Sequence, residues 1–278
     1  MRRRVLFLPM LALAGIAALL CARGAWSVGP SLPALESGTL AALRGDTRYA
    51  VRTSGSTTTV RKLVGGRPVA ALRIRGGWGI QLATLHGDLA GLSGDGRTLV
   101  LGDDVEPDGQ LRSRSRFAVI DTTTLSLRRV VTLRGDYSVD ALSPNGATLY
   151  LIHHVGGRDV SSYRVNGYDL ATGRLLPGVI ADKRQAGWTM AGYPVARVAT
   201  PDGRWVYTLY QQGDNYPFVH ALDAEHRTAV CVGLPVDWHE QWISNARLVL
   251  ADGRLEIRTR GGTTRLLLDT RTFVVSRP

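Results

Sequence analysis

The densest group of polar and aromatic residues in this sequence lies between positions 237 and 242. In an extended chain, Trp238 and Trp242 would share one face, and His239 would lie on the other. Two tryptophans at this spacing suit a surface that stacks on carbohydrate or binds a peptide, although such pairs also occur in hydrophobic cores. We expect Trp238, His239 and Trp242 to be ligand-binding residues.

A second aromatic stretch, residues 187–193, leads directly into a predicted strand at residues 194–198. That segment is predicted to be the innermost strand of its sheet. Trp188 and Tyr193 would then lie near one mouth of a central channel, where ring-shaped β folds bind ligands. These two aromatic residues are further candidates for ligand binding.

Acidic residues are concentrated in a predicted loop at residues 103–109, which contains Asp103, Asp104 and Asp108. Carboxylate oxygens are the ligands that Ca²⁺ prefers in proteins, so these three residues are candidates for a calcium site. Their spacing differs from that of a defined calcium loop, and a solvated acidic loop is the alternative. No cofactor other than Ca²⁺ is expected.

The sequence contains none of the common catalytic motifs: no glycine-rich phosphate loop before a helix, no HExxH, no CxxC and no GxSxG. Cys231 lies between two valines and is predicted to be a buried strand residue. A nucleophilic cysteine would need a nearby base, and sequence proximity to His220 or His226 does not provide one. These observations favour a binding module over an enzyme, and no catalytic residue is assigned.

The first 24 residues have the organisation of a secretory signal peptide. Three arginines at positions 2–4 precede an apolar segment at residues 5–20, and small residues follow it. Retention as a membrane anchor is an alternative, because the apolar segment approaches the ~20 residues needed to span a bilayer. Acylation of Cys21 is a third interpretation. Residues 25–278 are therefore expected to be secreted, or anchored to the outer side of the cell membrane.

The formal charge of +11 falls to +7 when the four arginines of the first 24 residues are removed (11 − 4 = 7). Arginine supplies 32 of the 34 basic residues, which is typical of GC-rich coding, and most of these arginines are scattered singly. Solubilising surface arginines are therefore expected, and a nucleic-acid partner is not. Attraction to anionic cell-surface polymers or lipid headgroups stays open on charge alone.

A repeated turn divides the rest of the sequence into five units of about 50 residues. Each turn contains an aspartate or asparagine that can hydrogen-bond its own backbone, usually followed by glycine. These turn residues are Asp46, Asp95, Asn145, Asp202 and Asp252. A strand follows each turn, and in four units a second aspartate follows the third strand. Each unit therefore predicts four strands.

A period of this length with four strands is typical of a propeller blade. The sequence predicts an all-β fold: a single β-propeller of five four-stranded blades over residues 25–278. Six blades would result if residues 238–250 and the N-terminal segment completed another sheet. An open edge in such a ring would be an aggregation hazard, and residues 30–43 are expected to pair with the last blade and close it.

The repeats resemble the YVTN- and WD40-like β-propellers of secreted bacterial proteins, whose blades carry SPDGxxLYV followed by VxDxxT. The best matches are SPNGATLY at residues 143–150 and TPDGRWVY at residues 200–207. Residues 207–235 are also similar to an uncharacterised family of secreted actinobacterial propeller proteins. The resemblance implies a secreted or cell-surface module that binds a protein, peptide or glycan. A lactonase-like hydrolase with a channel metal and a TolB-like component are the alternatives.

Overall fold

The computed structural model describes residues 32–42, 45–103, 111–155, 162–182, 190–212, 215–237 and 240–278. Within these ranges the chain forms 23 β-strands and one turn of 3-10 helix at Ile243–Asn245. None of the described segments is a helix that is long and apolar enough to cross a bilayer. The prediction of an all-β fold is confirmed for this part of the chain.

The strands form five antiparallel sheets that follow one another along the chain. The first two sheets contain β1 (Ala34–Leu35), β2 (Ser37–Ala41), β3 (Thr47–Ser54), β4 (Thr57–Val64), β5 (Arg67–Arg75), β6 (Trp78–Leu82), β7 (Leu89–Ala90), β8 (Thr98–Asp103), β9 (Arg114–Asp121) and β10 (Ser126–Arg134). Strands β2 to β5 make the first sheet. Strands β6, β8, β9 and β10 make the second, with β1 and β7 added beside β6.

The remaining three sheets repeat this plan. They contain β11 (Asp136–Leu142), β12 (Thr148–His154), β13 (Ser162–Asp169), β14 (Arg174–Leu175), β15 (Met190–Ala191), β16 (Tyr193–Ala199), β17 (Trp205–Gln212), β18 (Asn215–Asp223), β19 (Thr228–Gly233), β20 (Arg247–Ala251), β21 (Arg254–Arg258), β22 (Thr264–Asp269) and β23 (Val275–Ser276). The third sheet is β11 to β14 with β15 beside β13, the fourth is β16 to β19, and the fifth is β20 to β23.

The predicted role of residues 30–43 in closing a ring is wrong for the part of that segment that the structure describes. Strand β1 pairs with β6 of the second sheet, and β2 pairs with β3 of its own sheet. The stretch 238–250 does not form part of a sixth sheet either. Its described residues make a turn, the 3-10 helix and β20, which is the first strand of the fifth sheet.

The turns between the first and second strands are held by short-range hydrogen bonds. Asp95 accepts hydrogen bonds from the Ser93 hydroxyl at 2.6 Å and the Arg97 backbone N–H at 2.9 Å. Asn145 and Asp202 occupy the same position in the next two sheets and make equivalent bonds. Asp46 and Asp252 lie in the corresponding turns of the first and fifth sheets. Because these bonds span two residues, the local sequence is sufficient to form each turn.

A second aspartate caps the turn after the third strand in four sheets. One carboxylate oxygen accepts two backbone N–H groups, two and three residues further along the chain; the residues concerned are Asp121, Asp169, Asp223 and Asp269. The pKa of Asp121 falls to about 2, chiefly through a hydrogen bond from Arg128 and then one from the Thr124 backbone. These aspartates build the fold.

Four hydrophobic clusters join successive sheets face to face: first to second, second to third, third to fourth and fourth to fifth. Stacked four-stranded meanders of this kind are the architecture of a β-propeller. Among the described residues, no corresponding cluster joins the fifth sheet to the first. The first sheet therefore has one packed face and one open face.

Charged pairs are also buried between sheets. The side chain of Arg112, 6% exposed, contacts the carboxylate of Asp136, 0% exposed, at 2.9 Å. Arg112 also donates to the Tyr137 carbonyl and lies 3.4 Å from Asp103. The expectation of a solubilising surface arginine is wrong at this position, because carboxylates from two other strands neutralise it in the interior.

Candidate functional site

A connection from the second sheet crosses to the inner strand of the fourth. In the segment between β6 and β7, the Leu85 N–H donates to the Pro194 carbonyl at 2.9 Å. The carboxylate of Asp88 accepts the Arg197 backbone N–H at 2.8 Å. His86 and Asp88 of this crossing segment line a cavity.

The cavity has a volume of about 500 Å³ and lies where the second, fourth and fifth sheets meet. Its walls are the crossing segment, the middle of β16, the start of β20 and the turn between β21 and β22. The lining residues are His86, Asp88, Ala196, Arg197, Asn245, Arg247, Leu248 and Arg260. A space of this size admits a small organic ligand or one end group of a larger one.

Arg197 is fixed inside the protein by a buried ion pair. Its guanidinium lies 3.1 Å from the carboxylate of Asp140 on β11, with side chains 8% and 4% exposed. Removing either partner of an ion pair this deeply buried would leave an uncompensated charge in the interior and destabilise the fold. The pair joins the inner strands of the third and fourth sheets and supplies one guanidinium, already neutralised, to the cavity wall.

Arg247 and Arg260 differ from Arg197, because both are exposed and neither forms an ion pair within the described residues. Arg247 is the first residue of β20, and Arg260 lies in the turn closed by the bond from the Thr259 N–H to the Thr263 carbonyl. An arginine fork matches the oxygens of phosphate and carboxylate. The two residues therefore give the cavity a positively charged opening.

Among the described residues, the cavity wall contains one carboxylate, Asp88, and internal contacts occupy it. Asp88 accepts the Thr84 hydroxyl at 2.8 Å and the Arg197 backbone N–H through the same oxygen. Three guanidinium groups therefore face two carboxylates, Asp88 and the buried Asp140, and both carboxylates bind the chain itself. The surplus positive charge favours an anionic ligand.

Of the predicted aromatic site residues, Tyr193 and Trp242 are described. Tyr193 is 37% exposed and begins β16, three residues before Ala196 on the cavity wall. Trp242 precedes Asn245 by the same interval, but its ring packs on the core between the fourth and fifth sheets. Arg265 lies 5.6 Å above that ring. Trp242 is therefore partly covered.

Several predicted site residues lie outside the described part of the chain: Cys21, Asp104, Asp108, Trp188, Trp238 and His239. Their roles stay predictions. Asp103, the third candidate calcium ligand, is described. Its carboxylate accepts the Arg116 side chain and backbone, both at 3.1 Å, and contacts Arg112 at 3.4 Å. These contacts compete with any cation at Asp103.

One group of three potential metal ligands occurs among the described residues: Asp223, Glu225 and His226. It lies in the turn between β18 and β19, outside the cavity. The Arg204 guanidinium contacts Asp223 at 3.2 Å and Glu225 at 3.3 Å, so the cluster already holds a cation. The group is better described as the cap of this turn.

The structure also brings Cys231 beside His220, which the sequence alone does not establish. The two residues face each other on β19 and β18, and the Nδ1–Sγ distance is 3.4 Å. Both are buried, and burial lowers the pKa of His220 to about 4, so the imidazole is neutral near pH 7. A neutral imidazole does not stabilise a thiolate, and Cys231 belongs to the core between the third and fourth sheets.

The cavity arginines carry no local sequence signal. Arg197, Arg247 and Arg260 are three of 32 arginines, and they come from different units of the repeat. Their common environment depends on the packing of three sheets. The only local indication of this cavity in the sequence is weak: His86 and Asp88 lie in a segment that interrupts the regular repeat.

No protein-family model matches this sequence, and no curated protein matches it. Solved structures similar to the chain include hydrazine synthase from Kuenenia stuttgartiensis, with 18% identity, coverage of 82% of this chain and 75% of that chain, and a TM-score of 0.40. The β-propeller domain of Cps50 (Swd1) from Myceliophteria thermophila has 15% identity, coverage of 86% and 65%, and a TM-score of 0.45.

TolB from Acinetobacter baumannii is also similar, with 13% identity, coverage of 86% of this chain and 56% of that chain, and a TM-score of 0.42. This chain therefore spans little more than half of the TolB chain. Likeness at this distance carries no argument about function, and the assignment of a propeller architecture depends on the sheets and their packing.

Proposed function

We propose that this protein is a β-propeller binding module that recognises an anionic group in the cavity between the second, fourth and fifth sheets. The five sheets act as blades of one domain over residues 25–278. The signal-like sequence of residues 1–24 supports a location of that domain outside the cytoplasm, secreted or anchored to the membrane. The ligand is a small anion, or the anionic end group of a peptide or glycan.

The observation that supports this proposal is the unequal pairing of the cavity arginines. Arg197 is neutralised by Asp140, whereas Arg247 and Arg260 have no ion-pair partner in the described residues. Hydrogen bonds to charged groups contribute about 1.5–3 kcal/mol each, so two free guanidinium groups provide substantial affinity for phosphate or carboxylate. Tyr193, the first residue of the strand that contains Arg197, adds an exposed aromatic surface for the rest of the ligand.

Thermal melting in the presence of a ligand panel tests the proposal. The panel contains inorganic phosphate, citrate, sugar phosphates and acidic sugars, each with a neutral analogue of similar size. A ligand that binds only the native state raises the melting temperature by mass action. Anionic members should raise it and neutral members should not. Equal responses to both, or to neutral members alone, would contradict an anion site.

The hydrolase alternative stays a prediction and has no supporting contact among the described residues. A channel metal would need a converging set of carboxylates or histidines, and the one such cluster in the described part of the chain lies in the turn at Asp223. Hydrolysis of a lactone panel with and without Ca²⁺ is the assay that would support it.

A further inference from the structure

One face of the first sheet is lined with arginine and is open to solvent. The opposite face packs on the second sheet through Tyr49, Val51 and Val60. Because side chains alternate along a strand, the residues between these positions lie on the open face. The arginines on that face are Arg48, Arg52, Arg61, Arg73 and Arg75, and all five are exposed. We call this surface the arginine face.

Strand register places these cations close together. Arg61 lies opposite Ala50 and Ala71, while Thr59, in the next row, lies between Arg52 and Arg73. Neighbouring strands are about 4.8 Å apart and diagonal neighbours about 7–8 Å apart. The rows contain alanine and threonine between the arginines, and no carboxylate. None of the five guanidinium groups forms an ion pair within the described residues.

The residues that the structure describes leave the arginine face uncovered. No core cluster joins the first and fifth sheets in the described part of the chain. The corresponding face of the fifth sheet is also basic, with Arg247, Arg254 and Arg258 around Glu256. Like charges would therefore oppose closure onto the fifth sheet of the same molecule or of a second copy. The negative charge that balances the arginine face must therefore come from a different partner, which is anionic.

Two features indicate which anionic partner this is. By the same alternation Val69, which is 59% exposed, lies on the arginine face, close to the turn between β4 and β5. Exposed apolar side chains beside basic ones are typical of proteins that bind at a membrane interface. The apolar segment at residues 5–20 is separated by thirteen residues, 21–33, from β1, which directly precedes β2 of this sheet. That connection can span up to about 45 Å when extended.

We infer that the arginine face docks on an anionic phospholipid membrane. Its guanidinium groups bind lipid phosphates, and Val69 enters the interfacial layer. Arginine is suited to this role because its planar fork binds phosphate in a bidentate manner. The site is distinct from the cavity, which is lined by the second, fourth and fifth sheets.

Vesicle co-sedimentation of the full chain tests this inference. Binding is compared for phosphatidylcholine vesicles and for phosphatidylcholine mixed with phosphatidylglycerol. The apolar segment contributes to both, so the measured quantity is the ratio of the two affinities. Arg52→Gln/Arg61→Gln/Arg73→Gln should lower that ratio on the order of 100-fold, because each arginine near an anionic surface contributes about fivefold. High salt should weaken the preference of the unmodified protein in the same way.

The matched control, Arg114→Gln/Arg134→Gln/Arg174→Gln, removes three exposed arginines from other sheets and should keep the ratio. A second variant, Val69→Asp, should reduce binding to the anionic vesicles without altering the arginines. Equal losses in the two triple variants, or no preference of the unmodified protein for anionic vesicles, would overturn the inference. Tighter binding to soluble DNA than to vesicles of matched phosphate content would also overturn it, because DNA would then be the partner.

Discussion

Replacing Asp140 by asparagine should separate the structural and the ligand-binding roles of Arg197. The two side chains are 3.1 Å apart and 4% and 8% exposed, so the guanidinium of the variant would be a buried, unpaired cation. Removing one partner of a buried ion pair costs about 3–5 kcal/mol. For a domain of this size, that corresponds to a melting temperature lower by roughly 6–20 °C.

The assay is urea-induced unfolding together with thermal melting, with the Asp140→Asn/Arg197→Met double variant as the control. The double variant removes both charges and should be more stable than Asp140→Asn alone, since no buried charge is left without a partner. If Asp140→Asn lowers the free energy of unfolding by less than about 0.5 kcal/mol, the value typical of a surface substitution, the proposed role of this pair is refuted.

The same substitution should affect binding in the opposite direction. Arg197 lines the cavity, and without Asp140 its charge is available to a ligand. Inorganic phosphate should therefore raise the melting temperature of Asp140→Asn more than that of the unmodified protein. An equal or smaller rise in the variant would show that Arg197 does not contribute to an anion site.

Three further predictions concern the core and the turns. Burial lowers the pKa of His220 to about 4. Between pH 6.5 and pH 4 the unfolded chain therefore binds a proton at His220 and the folded chain does not, so the free energy of unfolding falls as the pH decreases through this range. His220→Leu should remove about 3 kcal/mol of that dependence in urea unfolding; an unchanged slope would contradict it. Backbone hydrogen bonds lower the pKa of Asp269, so Asp269→Asn, which keeps an acceptor, should reduce the loss of stability in acid below pH 3.8. Acid unfolding identical to that of the unmodified protein would count against this. Gly94→Ala would make Cβ overlap the Asp202 carbonyl oxygen, whereas Gly233→Ala meets nothing within 4 Å. The first should cost about 1–3 kcal/mol and the second almost nothing, and equal melting temperatures would refute the close contact of these turns.

The repeat could be predicted from sequence because its determinants are local. The turn at Asp202 depends on hydrogen bonds between residues two positions apart, and the strand after it shows a clear aromatic and β-branched pattern. The segment at residues 30–43 was harder, because strand pairing is non-local. A two-residue strand such as β1 can pair with the free edge of any sheet, and its pairing with β6 depends on the packing of the second sheet.

The candidate site could not be predicted for the same reason. Arg112 and Arg197 are buried in ion pairs, Arg247 opens onto a cavity, and Arg61 lies on an open face. A sequence shows the same residue type in all four places. What distinguishes them is which carboxylate, if any, a neighbouring sheet contributes.

The most direct test of an anion site is calorimetric titration of the full chain with the anion that raises the melting temperature most. The unmodified protein should bind it, and Arg247→Gln/Arg260→Gln should lose at least tenfold in affinity, which corresponds to about 1.4 kcal/mol. Arg114→Gln/Arg134→Gln, which removes the same charge elsewhere, should bind as the unmodified protein does. Undiminished binding by Arg247→Gln/Arg260→Gln would contradict the assignment of the cavity as the binding site.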